Sequence, residues 1–297
     1  MSFKFLVTGA GGKFGQRVLH HLLDTLGIPA ARVVAATRRP DALAAWAARG
    51  VAMAAVDLDD PATLRAALPG VGRMLLISTD AIGRRVVQHR DAVAAAAEAG
   101  VRHLVYTSMP EPEGSPALIA PDHAATEAAL AESGLPGWTV LRNHWYFENL
   151  LGSLPQALAS GRWVTAAGSG RIAHIARDDL ALGAATALAG EFAGKRVLTL
   201  SGAEAQSMAE IAAIAGRVLG KPVAVVPVSP EAYAEGLQAA GLPAPVVRIL
   251  ASLEANIASG RLATVTSDFA GLTGRAPGRF EAWLTANRQA FLPDVAA

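Results

Sequence analysis

The chain contains no cysteine among its 297 residues, which excludes disulfides, thiolate metal sites and cysteine nucleophiles. Charged residues make up only 17% of it and the formal net charge is +1, so no basic surface for nucleic acid is indicated. Its alanine-rich stretches are interrupted by Arg, Glu, Asp or Gly, and none reaches the length of a membrane span. The seven histidines are scattered, and no metal site is expected.

Hydrophobic residues account for 52% of the chain, so it can bury a large core and disorder is not expected. The first strand-like segment begins at Phe3 and leaves no room for a signal peptide. These features predict a cytoplasmic globular protein with one large domain, or one domain and a smaller lobe.

A glycine-rich loop follows the first strand-like segment. Residues 3–8 are apolar and rich in strand formers, and Val18, Leu19, Leu22, Leu23 and Leu26 give residues 13–26 helical periodicity. Between them, Gly9, Gly12 and Gly15 have the spacing GxxGxxG. This context favours a dinucleotide site over a glycine-rich hairpin. The residues expected to hold the diphosphate are Gly9, Gly11, Gly12, Lys13, Phe14 and Gly15.

Strand-like and helix-like segments alternate through residues 1–150. This pattern predicts an α/β fold with a doubly wound parallel sheet of the Rossmann type. From about residue 144 helical segments dominate, at 208–219, 230–240 and 246–258, with a strand at 223–228. We therefore predict a nucleotide-binding domain at 1–150 and a smaller, mostly helical lobe on the substrate side at 151–297. The two are interleaved, because a strand near 196–201 is expected to rejoin the sheet.

The end of the second strand indicates which coenzyme binds. An NAD-specific site usually has an acidic residue there for the ribose 2′-hydroxyl, but this strand ends with Arg38 and Arg39. Two guanidinium groups suit a 2′-phosphate, since their geometry matches phosphate oxygens. The sequence therefore predicts NADP(H) in preference to NAD(H). The alternative is that both arginines are ordinary solvated surface charges.

The ends of three further strands are expected to supply the remaining coenzyme contacts. Asp57 could accept a hydrogen bond from the adenine amino group while Leu58 packs on the ring, or Asp57 could only shape its loop. Small hydroxylated residues follow the fourth and fifth strands, where the nicotinamide ribose would lie. The residues meant are Ser78, Thr79, Thr107 and Ser108. Hydroxylated residues are also common in ordinary turns, so only the position of these four supports the assignment.

These motifs together resemble one family. The loop GAGGKFG, the two-arginine turn and the stretches 75–79, 106–108 and 141–149 resemble the NmrA-like, atypical branch of the short-chain dehydrogenase/reductases. Within it the chain is similar to bacterial NAD(P)H:quinone reductases and to triphenylmethane reductase, over nearly its whole length. The resemblance implies an NAD(P)H-dependent reductase, and a homodimer is compatible with it. Some members bind NADP(H) as regulators, so the alternative is a non-catalytic NADP(H) sensor that binds a protein partner.

One feature of most short-chain dehydrogenases is missing. The residues four positions after the three tyrosines are Pro110, Leu150 and Leu237, so the chain has no Tyr-xxx-Lys pair. In the corresponding helix, His123 and Glu127 lie one turn apart. They could form a hydrogen-bonded couple that lines the site, or they could only support the helix.

The absence of a Tyr-xxx-Lys pair limits which molecules the protein could reduce by hydride transfer. Hydride transfer to a ketone creates an alkoxide, a base comparable with hydroxide (the pKa of water is about 15.7), so a positioned acid matters. A quinone instead gives a phenolate-like anion, for which the pKa of tyrosine, about 10, is a guide. Solvent can protonate that species. The sequence therefore favours a quinone or a similar planar electrophile.

Aromatic residues near the sixth strand support a flat acceptor. Trp138, Trp145, Tyr146 and Phe147 fall within ten residues and could sandwich a planar ring, or they could pack the junction between the lobes. The expected catalytic residues are Tyr146, His123 and Asn143, and the expected substrate pocket contains Met109, Trp145 and Phe147.

Overall fold

The computed structural model describes residues 3–291. The strands in this range are β1 (Lys4–Val7), β2 (Val33–Thr37), β3 (Ala52–Ala55), β4 (Val71–Leu76), β5 (His103–Ser108), β6 (Gly137–Asn143), β7 (Arg162–Thr165), β8 (Arg171–Ile172), β9 (Lys195–Leu200), β10 (Gln206–Ser207) and β11 (Ala224–Pro227). The helices are α1 (Lys13–His20), α2 (Ala44–Ala48), α3 (Pro61–Ala67), α4 (Arg85–Glu98), α5 (Ala120–Glu132), α6 (Leu154–Ser160), α7 (Arg177–Ala189), α8 (Met208–Leu219), α9 (Pro230–Ala239), α10 (Ala244–Ala258), α11 (Asp268–Thr273) and α12 (Phe280–Ala286).

Seven strands form one parallel sheet in the order β3-β2-β1-β4-β5-β6-β9. The predicted doubly wound α/β fold is thereby confirmed. The chain order reverses between β1 and β4, and the carboxyl ends of the strands on either side of such a switch point form a crevice in which ligands bind. Strand β9 lies beside β6 at the edge of the sheet.

Helices cover both faces of the sheet. On one face α1 and α7 pack against Phe5 and Val7 of β1. On the other face α3, α4 and α5 surround Leu6. Every residue of β4 and β5 is buried, as expected for parallel strands with helices on both sides.

Helix α7 lies within 151–297 but packs on the sheet, so the sheet layer takes both α7 and β9 from the second half of the chain. After its charged first turn, the helix is apolar on nearly all sides from Leu180 onward, and this hides the helical period that sequence reasoning uses. Arg73 of β4 donates to three carbonyls at the end of α7: Leu188 (2.7 Å), Ala187 (3.1 Å) and Phe192 (3.1 Å). Burial lowers the pKa of Arg73 to about 10, so it still carries a charge at neutral pH.

The first helices differ slightly from their predicted bounds. The α-helix that starts at Lys13 ends at His20, and a π-helical turn, His21–Thr25, continues it toward Gly27. The sequence also predicts a helix over 41–49 that ends at Gly50; the structure has a 3₁₀ segment there, Pro40–Leu43, followed by α2. Asp60 followed by Pro61 predicts a helix N-cap and first helical position, and α3 confirms it: the Asp60 side chain accepts from the backbone N–H of Ala62 at 3.1 Å.

The remaining helices and strands build a second apolar core. It is formed by α6, α8, α12 and the 3₁₀ segment Phe147–Gly152, with the strand pairs β7–β11 and β8–β10. Among the helices of residues 3–291, none has both the length and the apolar composition to cross a membrane.

Candidate functional site

A cleft of about 630 Å³ lies at the carboxyl ends of β1, β2, β3 and β4. This is the crevice expected at the switch point of the sheet. Nine of the residues that the sequence assigns to the coenzyme line it: Gly9, Gly11, Gly12, Arg38, Arg39, Asp57, Leu58, Ser78 and Thr79.

The glycine loop is a tight turn whose shape excludes side chains. Gly9 has φ +61°, a conformation that favours glycine. A Cβ on Gly15 would lie 2.4 Å from the carbonyl oxygen of Gly9, and a Cβ on Gly11 would lie 2.8 Å from Oγ1 of Thr37. Within the described residues no side chain caps the N-terminus of α1 at Gly12, so its first N–H groups are open to an anion placed over the turn.

Substitution of Gly15 by alanine is expected to weaken NADPH binding by about 10-fold, or 1.4 kcal/mol. The new Cβ meets backbone atoms of Gly9 and Ala10, so α1 has to move away from the turn, at a further stability cost of roughly 1–3 kcal/mol. Titration with NADPH and thermal unfolding measure the two effects. Gly134→Ala is the control, because a Cβ there has no neighbour within 4 Å among the described residues. Equal NADPH affinities for both variants would contradict the packing role of Gly15.

Arg38 and Arg39 form a positive rim on the cleft. Both are exposed, and no ion pair within residues 3–291 involves either of them. Their guanidinium groups are therefore available to a phosphate. Asp57, also on the rim, accepts from the backbone N–H of Asp59 at 3.0 Å. This contact shapes the loop, and Asp57 still faces the cleft, so its two predicted roles are compatible.

Asp59, Arg84 and Gln88 are among the cleft residues that the sequence did not predict. Asp59 accepts a hydrogen bond from Gln88 at 2.7 Å and pairs with Arg84 at 2.5 Å. These hydrogen bonds and charges lower the pKa of Asp59. Asp59 lies 25 residues from Arg84 in the chain, and no local pattern signals such a pairing.

Five predicted coenzyme residues are not part of the cleft lining: Lys13, Phe14, Gly15, Thr107 and Ser108. Lys13 is exposed, whereas Phe14 and Gly15 are buried beneath the turn. The Thr107 hydroxyl accepts from the backbone N–H of Ser78 at 2.8 Å. The Ser108 hydroxyl donates to Glu127 at 2.6 Å. The structure uses both hydroxyls for internal contacts.

His123 and Glu127 do not form a couple. The nearest polar atom to Nδ1 of His123 is the hydroxyl oxygen of Tyr106, at 2.8 Å. Glu127 accepts from both Nε (3.1 Å) and Nη2 (2.6 Å) of Arg142. Burial lowers the pKa of His123 to about 3, so its ring is neutral. Of the two predicted readings, the contacts favour support of the helix.

Asn143 is the last residue of β6, and Tyr146 follows three residues later. The Tyr146 ring is parallel to that of Phe14 at a centroid distance of 6.2 Å, with the Arg177 guanidinium 5.3 Å from its centroid. Burial raises the pKa of Tyr146 to about 12. Asn143 is buried, and within the described part of the chain neither atom of its amide has a hydrogen-bond partner.

The predicted substrate-pocket residues separate into two groups. Met109 and Trp145 pack in one small apolar cluster with Ile119 and with Leu253 of α10. Phe147 instead belongs to the core of the second lobe, with its ring centroid 5.3 Å from Phe280 and 5.2 Å from Trp283. These contacts lie inside the second lobe, whereas the alternative prediction places Phe147 at the junction between the lobes.

Comparisons with known proteins agree with the resemblance seen in the sequence. A model of the NmrA-like family matches residues 1–259. Quinone oxidoreductase 2 of Escherichia coli (strain K12) is 38% identical over 256 residues, 86% of this chain and 88% of that protein.

Two solved structures are similar over almost the whole chain. The NADPH-dependent quinone oxidoreductase of Escherichia coli complexed with NADPH has a TM-score of 0.91 at 34% identity, covering 96% of this chain and 99% of that one. Citrobacter sp. triphenylmethane reductase complexed with NADP(H) has a TM-score of 0.86 at 33% identity, covering 97% and 100%. The chain belongs to the NmrA-like family.

Proposed function

We propose that this chain reduces a quinone, or a similarly flat and electron-poor acceptor, with hydride from NADPH. It is an NAD(P)H-dependent oxidoreductase, like its relatives. One observation carries the proposal: a single cleft joins a glycine turn, two arginines that form no ion pair within residues 3–291, and the ends of β3 and β4. These features correspond to the diphosphate, the 2′-phosphate and the two nucleoside ends of NADPH.

The residues of the cleft fit this coenzyme. The turn at Gly9–Gly12 would hold the diphosphate, since Gly9, Gly11 and Gly12 line the cleft beside the N-terminus of α1. Arg38 and Arg39 would bind the 2′-phosphate and so favour NADPH over NADH. Leu58 and Asp57 would contact the adenine, and Ser78 and Thr79 the nicotinamide ribose.

An apolar wall lies on the acceptor side. Met109, Trp145 and Leu253 pack together there, and such surfaces suit flat conjugated molecules. Bound NADPH supplies the hydride, and the chain's contribution is to orient the acceptor and exclude water. Asn143 would hold an acceptor oxygen, since its buried amide has no partner within residues 3–291.

The final proton would come from solvent. His123 is neutral, with a pKa of about 3. Tyr146, with a pKa of about 12, is a weaker acid than a hydroquinone whose pKa is near the phenol value of about 10. Neither side chain is therefore suited to act as the general acid, which agrees with an acceptor that does not need one.

Asn143→Leu is expected to lower quinone turnover by about 10- to 100-fold, the effect of losing one orienting contact. The stability of the Asn143→Leu variant should not fall, because the amide makes no hydrogen bond within the described residues.

Tyr146→Phe should keep turnover within about 3-fold, with the same flat profile of rate against pH between pH 6 and 9, since a group of pKa about 12 does not titrate there. Steady-state rates with a benzoquinone measure both. A strong loss in Tyr146→Phe with intact Asn143→Leu would reverse the two roles.

The proposed function is tested by NADPH oxidation, followed by absorbance, against quinones, a cationic triphenylmethane dye and a simple ketone. We expect turnover with the quinones or the dye and none with the ketone. Tight NADPH binding without turnover on any of them would instead favour a coenzyme sensor. A preference for the ketone would contradict the argument from the missing acid.

A further inference from the structure

The segment 77–79, which follows β4 and lines the cleft, is held by side chains from three different parts of the fold. The N–H groups of three consecutive residues each donate to a side chain. Ile77 donates to Thr8 Oγ1 at 3.0 Å, Ser78 to Thr107 Oγ1 at 2.8 Å, and Thr79 to His89 Nε2 at 3.3 Å. Backbone donors beyond a strand end have no partner strand and need another acceptor, and here three side chains supply it.

Thr79 is fixed at all of its polar atoms by helix α4. Besides the N–H held by His89, its carbonyl accepts from Arg85 Nε at 2.6 Å, and its hydroxyl donates to Gln88 Oε1 at 2.7 Å. Arg85, Gln88 and His89 are all buried. One helix therefore sets the position of a residue on the floor of the cleft.

The hydrogen-bond network fixes the tautomer of His89. The Thr126 hydroxyl has a single hydrogen, which it donates to the carbonyl of Asp122 at 2.8 Å. It must then accept from Nδ1–H of His89, 3.0 Å away, which leaves the Nε2 lone pair for Thr79. Burial and the charge of Arg85 lower the pKa of His89 to about 3, so the ring stays neutral and the acceptor is permanent.

We propose that His89 is a positioning residue for hydride transfer: through Thr79 it fixes segment 77–79, against which the reactive end of the coenzyme is placed. This inference rests on the proposed function. His89 is fully buried and is not part of the cleft lining, so it acts only through Thr79. Errors of about 1 Å in the placement of reacting groups cost about 100-fold in rate, which is the effect that a loose segment would have.

The experiment distinguishes an effect on the placement of the bound coenzyme from an effect on its affinity. His89→Leu removes the acceptor, His89→Gln keeps one as an amide oxygen, and Val87→Ala is the control on the exposed face of the same helix. For each variant the affinity for NADPH is measured by titration. The rate of a single turnover with a benzoquinone is measured with NADPH saturating.

We expect His89→Leu to lower the single-turnover rate by about 10- to 100-fold while NADPH affinity changes by less than about 3-fold. The affinity is expected to hold because the glycine and arginine contacts lie elsewhere in the cleft. His89→Gln should recover most of the rate, and Val87→Ala should match the wild type. If His89 had a purely structural role, His89→Leu would reduce the fraction of folded protein, and the rate and the NADPH affinity would fall together.

An unchanged rate in folded His89→Leu, or equal losses of rate and affinity, would overturn the inference. If His89→Leu does not fold, Thr126→Val tests it instead, because it removes the acceptor of Nδ1–H and frees the ring to present Nε2–H to Thr79. An unchanged rate in Thr126→Val would then overturn it. Failure of the wild type to bind or oxidise NADPH would be a failure of the proposed function instead.

Discussion

Reversing the charge of Arg38 is expected to weaken NADPH binding by about 100- to 1,000-fold and NADH binding by less than about 3-fold. A hydrogen bond to a charged group contributes about 1.5–3 kcal/mol, and a glutamate would also repel the 2′-phosphate. Each 1.4 kcal/mol is about tenfold in affinity. NADH has a hydroxyl at this position, so it loses little. Titration of Arg38→Glu with both coenzymes measures the difference.

The matched control is Arg90→Glu, which makes the same change in net charge at an exposed position of α4 outside the cleft lining. It should leave both affinities within about 2-fold, because charges beyond a Debye length of about 8 Å are screened at physiological salt. Equal losses of NADPH and NADH affinity in Arg38→Glu would remove the 2′-phosphate assignment.

The protein is expected to lose most of its stability between pH 6.5 and pH 5. Burial lowers the pKa of five histidines below the ordinary value of 6.5, to about 3 for four of them and about 4 for the fifth: His89, His103, His123, His174 and His144. All five are neutral in the folded protein. As the pH falls below 6.5, the unfolded chain binds a proton at each of these histidines and the folded protein does not. Proton binding then stabilises the unfolded chain and lowers the free energy of unfolding.

The size of this effect follows from linkage. At pH 5.5, one unit below the unfolded pKa, each histidine costs about 1.4 kcal/mol, and five cost roughly 7 kcal/mol. Typical domains have a free energy of unfolding of about 5–15 kcal/mol. Denaturant unfolding between pH 8 and 5 should therefore show a stability that is flat above pH 7 and falls steeply below 6.5.

A surface histidine provides the control. His20 has a side chain that is 39% exposed, so His20→Gln should retain the full dependence on pH. A stability that stays constant from pH 7.5 to pH 5 would contradict the burial of the five neutral rings.

The fold and the glycine loop could be predicted because their signals are local. The alternation of strands and helices, the spacing of Gly9, Gly12 and Gly15, and the Asp60 cap each depend on residues close in the chain. Helix α7 could not be found in this way, since burial on all sides removes its periodicity. Its terminal carbonyls are satisfied by Arg73, more than 100 residues earlier.

Polar pairings were the least predictable part of the site. Helical spacing suggested a hydrogen bond between His123 and Glu127. In the structure each of these side chains instead pairs with a residue of an adjacent strand, His123 with Tyr106 and Glu127 with Arg142. The contact of His89 with Thr79 likewise depends on how α4 docks. Neighbouring aromatics also diverge: Tyr146 packs on Phe14, whereas Phe147 joins the second lobe.

The most direct test of the central claim is a single turnover under anaerobic conditions. NADPH carrying deuterium at the transferred position is bound to the wild-type protein and mixed rapidly with a benzoquinone. We predict oxidation of one NADPH per site, with formation of one hydroquinone and a slower rate for the deuterated coenzyme. Saturable NADPH binding with no oxidation by any planar acceptor, or no affinity for NADPH at all, would contradict the account.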